Sequence, residues 1–108
     1  MQRSLRWGLA VVRGRSMTPT LRPGDRLLVA YGAPVADGAL VLARLPDGTL
    51  AVKRADHRAS TGAGLPGWYL LSDNPAEGVD SRHRGPVAER AVLAVVRARV
   101  WPRPGRVR

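Results

Sequence analysis

Two residues of this chain have the chemistry of a hydrolase: the serine at position 16 and the single lysine, Lys53, which follows it by 37 positions. Every other basic side chain is arginine, whose guanidinium stays protonated and cannot accept a proton. A lysine amine can, once burial lowers its pKa. A serine hydroxyl is a weak nucleophile until a base takes its proton, and a serine served by a lysine is a known variant of triad chemistry. Lysine's ordinary pKa of about 10.4 must fall toward neutrality for general-base work. That asks for an apolar pocket, which Leu, Val and Met17 can line. Taken singly, Lys53 reads as a solvated charge and Ser16 as a turn or helix-cap serine ahead of Met-Thr-Pro. The surrounding phrases change that reading.

The elements that must position these groups read as strands. Short leucine and β-branched runs alternate with Gly, Pro and Asp punctuation, an all-β signature. Leu9 to Val12, Arg26 to Ala30, Ala39 to Leu45, Thr49 to Ala55, Trp68 to Leu71 and Ala91 to Trp101 are the predicted strands. Pro46-Asp47-Gly48 is a hairpin turn between the third and fourth, which puts Lys53 on a return strand. There Thr49, Ala51, Lys53 and Ala55 share a face, so small neighbours allow another group to approach the amine. Arg13 to Asp25 reads as loop, Arg58 to Gly67 as a flexible loop of small residues, and Ser72 to Pro86 as a long polar segment. A loop of that last length in a compact domain is usually functional or disordered.

Length and composition bound the rest. At 108 residues the chain is one small domain, expected over residues 1–101 with a disordered basic tail over 102–108. Phe is absent and aromatics are scarce, so the core must come from Leu, Val and Ala. There is no Cys, and the two isolated histidines, His57 and His83, lack metal-ligand spacing, so no cofactor or metal is expected. No stretch approaches the roughly 20 apolar residues that span a bilayer. The chain therefore reads as soluble and cytoplasmic, while Trp7 and Trp101, near the arginine-rich ends, leave room for peripheral membrane contact. A formal net charge of +10 is compatible with nucleic acid, an anionic surface or an acidic protein partner.

Gly14 to Val29, GRSMTPTLRPGDRLLV, resembles the nucleophile segment of the type I signal peptidase family. Val52-Lys53-Arg54 resembles its lysine segment, and SDNPAEGVDSRHRGP, residues 72–86, its last signature. The three occur in family order. Within that superfamily the phrases RLLVAYGAPV, VKRADHR, GWYLLSDNP and VRARVWPRP are similar to the nickel-type superoxide dismutase maturation proteases. The resemblance implies a small signal-peptidase- or repressor-protease-like fold of coiled antiparallel sheets, and removal of an N-terminal leader from a nickel superoxide dismutase precursor. It implies Ser16 as nucleophile, Lys53 as base and the Ser16 N–H as oxyanion donor.

Two positions depart from the family pattern. Some relatives carry a hydroxyl two residues before the nucleophile, where this chain has Gly14, which allows only close backbone approach. Relatives often place a lysine-orienting serine where this chain has Gly78, leaving Ser81, Ser72 or water to take over. Met17, Pro19, Asp25, Asp73, Asn74, Asp80, Ser81 and Arg82 are expected to support the site. Asp80 and Arg82 are expected as an ion pair, and Asp73 and Asn74 as turn residues bonding to backbone. The leader would bind as an extended strand along exposed sheet edges. No nucleic acid is expected, and the oligomeric state is not legible.

Three rivals stand beside this reading. The self-cleaving domain of stress-response and phage repressors shares the compactness and the Ser–Lys spacing. Against it, no DNA-binding domain and no Ala-Gly site precede Ser16; the one Ala-Gly pair is Ala63-Gly64. An arginine-rich nucleic-acid-binding β-domain fits the charge but has too few aromatics for a stacking platform. A catalytically dead relative used as a binding module is made thinkable by Gly78. A Ser-His-Asp triad from Asp56, His57 and Ser60 is disfavoured, because triad members converge from distant segments.

Overall fold

The computed structural model describes residues 6–107. Seven strands, Arg6–Val11 (β1), Arg26–Tyr31 (β2), Ala39–Arg44 (β3), Leu50–Ser60 (β4), Pro66–Leu71 (β5), Val87–Ala88 (β6) and Val92–Trp101 (β7), form one sheet in the order β1-β2-β7-β3-β4-β5-β6. Every pairing is antiparallel. One helical turn, Ser81–Arg84 (α1), and a 3₁₀ turn at Glu89–Ala91 complete the regular structure. The fold is all-β. No helix among the described residues is long and apolar enough to cross a membrane.

The apolar runs form strands because the sheet buries side chains on both faces. On β3, Leu40 and Leu42 join one cluster with Leu27, Val29 and Met17, while Val41 and Ala43 join a second with Trp68, Leu70 and Val95. Alternation along a strand sends neighbours to opposite faces, so a strand covered on both reads as continuous apolar sequence. Full burial of each large aliphatic side chain contributes roughly 1.5–3 kcal/mol. The β3–β4 hairpin closes as its turn residues require. The Leu45 N–H donates to Thr49 O at 2.8 Å, the Thr49 N–H to the Asp47 carboxylate at 2.9 Å, and Gly48 takes φ +88°.

One expectation is corrected. Arg58 to Gly67 is not a flexible loop: β4 runs to Ser60, and β5 begins at Pro66 after a tight turn in which the Thr61 N–H donates to Leu65 O. Cross-strand contacts hold this end together, with His57 stacked on Tyr69 at 4.9 Å and the Arg58 guanidinium over Trp68 at 4.7 Å. Residues 102–107 turn back on β7. Arg99 and Gly105 exchange backbone hydrogen bonds at 2.8 and 2.9 Å, and Val107 packs against the first apolar cluster.

Candidate active site

The serine lies in the connection between β1 and β2. The neck of this loop is closed by Val12 N–H to Asp25 O and Gly24 N–H to Val12 O, both 2.8 Å. Successive turns follow, Thr18 N–H to Arg15 O at 3.1 Å and Leu21 N–H to Met17 O at 2.8 Å. Met17 and Leu21 are fully buried and pin the loop to the core, leaving Ser16 between them and solvent, half-buried. Asp25, also buried, accepts from the Arg22 N–H at 2.9 Å and faces the Arg99 guanidinium at 3.6 Å, so its place is at the loop's base. Pro19 is exposed on the loop. Gly14, with φ +73°, is exposed and has no side chain to offer an oxyanion.

Lys53 sits on β4 opposite Val41 of β3, between Ala51 and Ala55, and is 2 % exposed. β5 pairs with β4 only from Arg54↔Leu71 onward, so the chain leaves β5 as Ser72 beside the lysine. The Lys53 Nζ donates to Ser72 Oγ at 2.8 Å. Burial pushes the ammonium's pKa down; the neighbouring Asp80 carboxylate opposes this and the Arg82 guanidinium adds to it. Of the substitutes for the missing serine at position 78, Ser72 is the one that meets the amine. Ser81 does not: its Oγ accepts from the Leu70 N–H at 2.8 Å.

Gly78 lies beside both Ser16 and Lys53. It has φ +76°, and a Cβ there would lie 2.8 Å from Ser16 Cβ, 3.3 Å from Lys53 Nζ and 3.6 Å from Ser72 Oγ. Ser16, Lys53 and Ser72 therefore all border Gly78, and a methyl group there would press on Ser16. The loop carrying Gly78 is braced by Asp80, which caps α1, accepts from the Ser72 N–H at 2.8 Å and the Arg82 N–H at 3.0 Å, and pairs with the Arg82 guanidinium at 2.7 Å. Burial alone would raise the Asp80 pKa. Its hydrogen bonds from Arg82 and Ser72 outweigh burial and hold it well below the usual carboxylate range.

Asp73 and Asn74 fasten this segment to the serine loop. Asp73 is not the turn residue expected. It takes the Arg54 guanidinium through two hydrogen bonds, 2.8 and 2.7 Å, and accepts from the Thr20 hydroxyl, while its N–H points to Met17 Sδ. Asn74 donates its backbone N–H to Ser16 O at 2.8 Å and its side-chain amide to Thr18 Oγ1 at 3.0 Å and Arg15 O at 3.2 Å. Its Oδ1 also closes a local turn at the Ala76 N–H. Arg54 and Thr20 were not singled out from sequence; the signal available was Arg54's place directly after the lysine.

A groove of about 400 Å³ leads to Ser16. Leu9, Val11 and Arg13 line one side and Thr49 to Val52 the other. β1 is the first strand of the sheet and β4 has no β5 partner before Arg54, so both walls are strand edges. Asp56 and His57 touch at 2.8 Å on the exposed part of β4, with Ser60 at its end; no other segment brings them to Ser16. His83 belongs to the α1 capping box. Among the described residues no group of three His, Cys, Asp or Glu is placed to hold a metal.

No curated protein matches the chain. The model of the family described as Peptidase S24-like matches residues 3–96, which include the serine loop, the lysine strand and the Ser72–Pro86 segment. The chain thus belongs to the Peptidase S24-like family of serine peptidases.

Proposed function

We propose that this protein is an endopeptidase in which Ser16 attacks the scissile carbonyl and Lys53 is its base. The observation that carries the reading is the meeting of a half-buried serine, a fully buried amine and a second hydroxyl around Gly78. A neutral amine has two N–H donors and one lone pair. Ser72 occupies one donor, which orients the amine and leaves the lone pair for the Ser16 proton.

In the first step the Ser16 Oγ–C bond forms as its proton passes to Lys53 Nζ, and the carbonyl π electrons move to oxygen. The backbone N–H of Ser16 is the proposed donor to that oxyanion, with Gly14 leaving the backbone open to close approach. Collapse breaks the C–N bond, and Lys53 returns its proton to the leaving amine. Water then attacks the acyl carbon as Lys53 takes its proton, and collapse breaks the C–Oγ bond as Lys53 returns that proton to Ser16 Oγ, releasing the carboxylic acid product.

The substrate would lie extended in the groove between the edges of β1 and β4, adding a strand to each. A leader peptide of a protein precursor fits this mode, and the resemblance of the sequence to nickel superoxide dismutase maturation proteases makes that precursor the first substrate to try. A second reading, self-cleavage of the repressor type, draws on the same family match. Its sequence signal is weak here, because Ala63-Gly64 lies in the β4–β5 turn, at the far end of β4 from Lys53. The test is incubation of the folded precursor with wild type, Ser16→Ala and Lys53→Arg, read by intact mass. Cleavage at one bond by wild type and by neither variant supports the dyad and the substrate together. An intact precursor with the protease itself cut supports self-cleavage.

A further inference from the structure

The groove that leads to Ser16 is lined by one charged side chain, Arg13, and by no carboxylate. Arg15, next to the nucleophile, adds a second cation at the same end. Both are exposed, and among the described residues neither forms an ion pair. The backbone of Arg15 is nevertheless fixed. Its carbonyl accepts from the Thr18 N–H at 3.1 Å, the Thr18 hydroxyl at 2.9 Å and the Asn74 amide at 3.2 Å. The carboxylates of the neighbouring segments are engaged elsewhere: Asp25 is buried at the base of the loop, Asp73 is held by Arg54 and Asp80 by Arg82. Glu77, beside Gly78, is exposed and pairs with neither arginine.

β1 sets where these cations meet a bound peptide. Val12 turns its N–H and C=O to the β2 side, toward Asp25 O and the Gly24 N–H. Successive residues of an extended chain direct these groups to opposite edges, so Val11 and Leu9 present theirs to the groove. A peptide strand paired there sets its side chains in rows with those of β1, because paired residues share a face of the sheet. One row of β1, Ala10 and Val12, packs into the first apolar cluster; the other, Leu9, Val11 and Arg13, is exposed and ends in the cation. Arg13 precedes Ser16 by three residues, a span of at most about 10 Å. A substrate side chain beside Arg13 therefore belongs to a residue within about three positions of the scissile bond.

We propose that Arg13, with Arg15, selects peptides that carry Asp or Glu in the outward row close to the cut bond. The inference rests on the peptidase reading of the groove and adds the class of peptide the groove accepts. A guanidinium takes a carboxylate through two parallel N–H bonds, and the bound strand would shield that pair from water. Lys or Arg in the same row would meet two cations and no carboxylate, so the charges that favour an acidic peptide also reject a basic one.

The test uses three pools of labelled decapeptides, randomised over uncharged residues and differing only in one central residue, Asp, Asn or Lys. Binding to Ser16→Ala, which leaves peptides uncut, is read by fluorescence polarisation, and cleavage by wild type is read by mass spectrometry. The Asp pool is expected to bind and to be cut about fivefold better than the Asn pool, the upper range for an exposed ion pair. The Lys pool is expected to be poorest, and salt should narrow the differences. Arg13→Glu, made in both backgrounds, is expected to abolish the Asp preference and to raise the Lys pool. Arg90→Glu alters an exposed arginine that does not line the groove; it makes the same change in net charge and should keep the original order. Equal binding of the Asp and Asn pools overturns the proposal, as does an Arg90→Glu effect as large as that of Arg13→Glu. Asp-selective binding with no pool cut would sustain the groove's preference and remove the peptidase reading. Cleavage of all pools alike would do the reverse.

Discussion

The Lys53 ammonium nitrogen and the Ser72 hydroxyl oxygen stand 2.8 Å apart in a buried pocket, although 19 residues separate them in the chain. On the proposed mechanism this bond aims the lysine lone pair. Ser72→Ala should lower kcat about 100-fold with little change in KM, since misdirection of a reacting group by about 1 Å can cost that much. The hydroxyl accepts from the amine and favours its charged form, so its loss should also move the lysine-controlled limb of the pH–rate profile to lower pH. An unchanged profile with reduced activity would assign Ser72 a packing role only.

Lys53 should give activity an alkaline requirement. Burial lowers its pKa, so the active neutral form appears below the ordinary lysine range, and kcat/KM should rise through a single ionisation as pH increases. Lys53→Arg removes the proposed base and should cost on the order of 10³-fold or more. The linkage has a definite sign. A lysine whose folded pKa is depressed destabilises the fold at low pH, where it must be charged, and the penalty fades as pH rises toward the unfolded value. Lys53→Met should therefore gain stability over wild type near pH 7, with the gain shrinking by about pH 10; urea unfolding at the two pH values measures this.

Gly78→Ala should damage both stability and activity. The left-handed backbone costs an L-residue roughly 1–2 kcal/mol, and the new methyl would press on Ser16 Cβ at 2.8 Å and on the lysine nitrogen. A fall in thermal midpoint with activity reduced more than about 100-fold is the expected result. A fully active Gly78→Ala protein would mean the three groups do not operate from these positions.

Asp80→Asn tests the brace behind the site. The carboxylate is buried, caps α1 and holds both Ser72 and Arg82, and loss of such a hydrogen-bonded charge typically costs about 3–5 kcal/mol. Because its folded pKa is depressed, its stabilisation is complete above the unfolded carboxylate value of about 3.9 and is lost as pH falls through the folded value. Wild type should lose stability on acidification below about pH 4, and Asp80→Asn should lose less of what it has. Parallel acid denaturation curves for the two proteins would remove Asp80 from this role.

Much of this arrangement was legible in the residues. The Pro46-Asp47-Gly48 turn and the two apolar flanks defined the β3–β4 hairpin, and with it the strand that carries Lys53. The prolines and glycines between Arg13 and Asp25 marked a loop, because neither residue type suits a strand interior. What escaped was set by partners distant in sequence. Arg58 and His57 look like loop residues until Trp68 and Tyr69 are paired opposite them. Asp73 looks like a turn residue until Arg54 and Thr20 arrive from other segments. The choice of Ser72 over Ser81 depended on where β5 ends relative to Lys53, a matter of register that local pattern does not encode.

The position of β7 has a bearing on when the protein becomes reactive. The last strand of the sequence inserts between β2 and β3, so the ribbon that leads to Ser16 and the arm that carries Lys53 have no strand pairing with each other except through it. As the chain emerges during synthesis, serine and lysine belong to two separate pieces of sheet. The residues that close the sheet are the last of its strands to appear. On the proposed mechanism, the strand that joins the serine's half of the sheet to the lysine's half is the one made last.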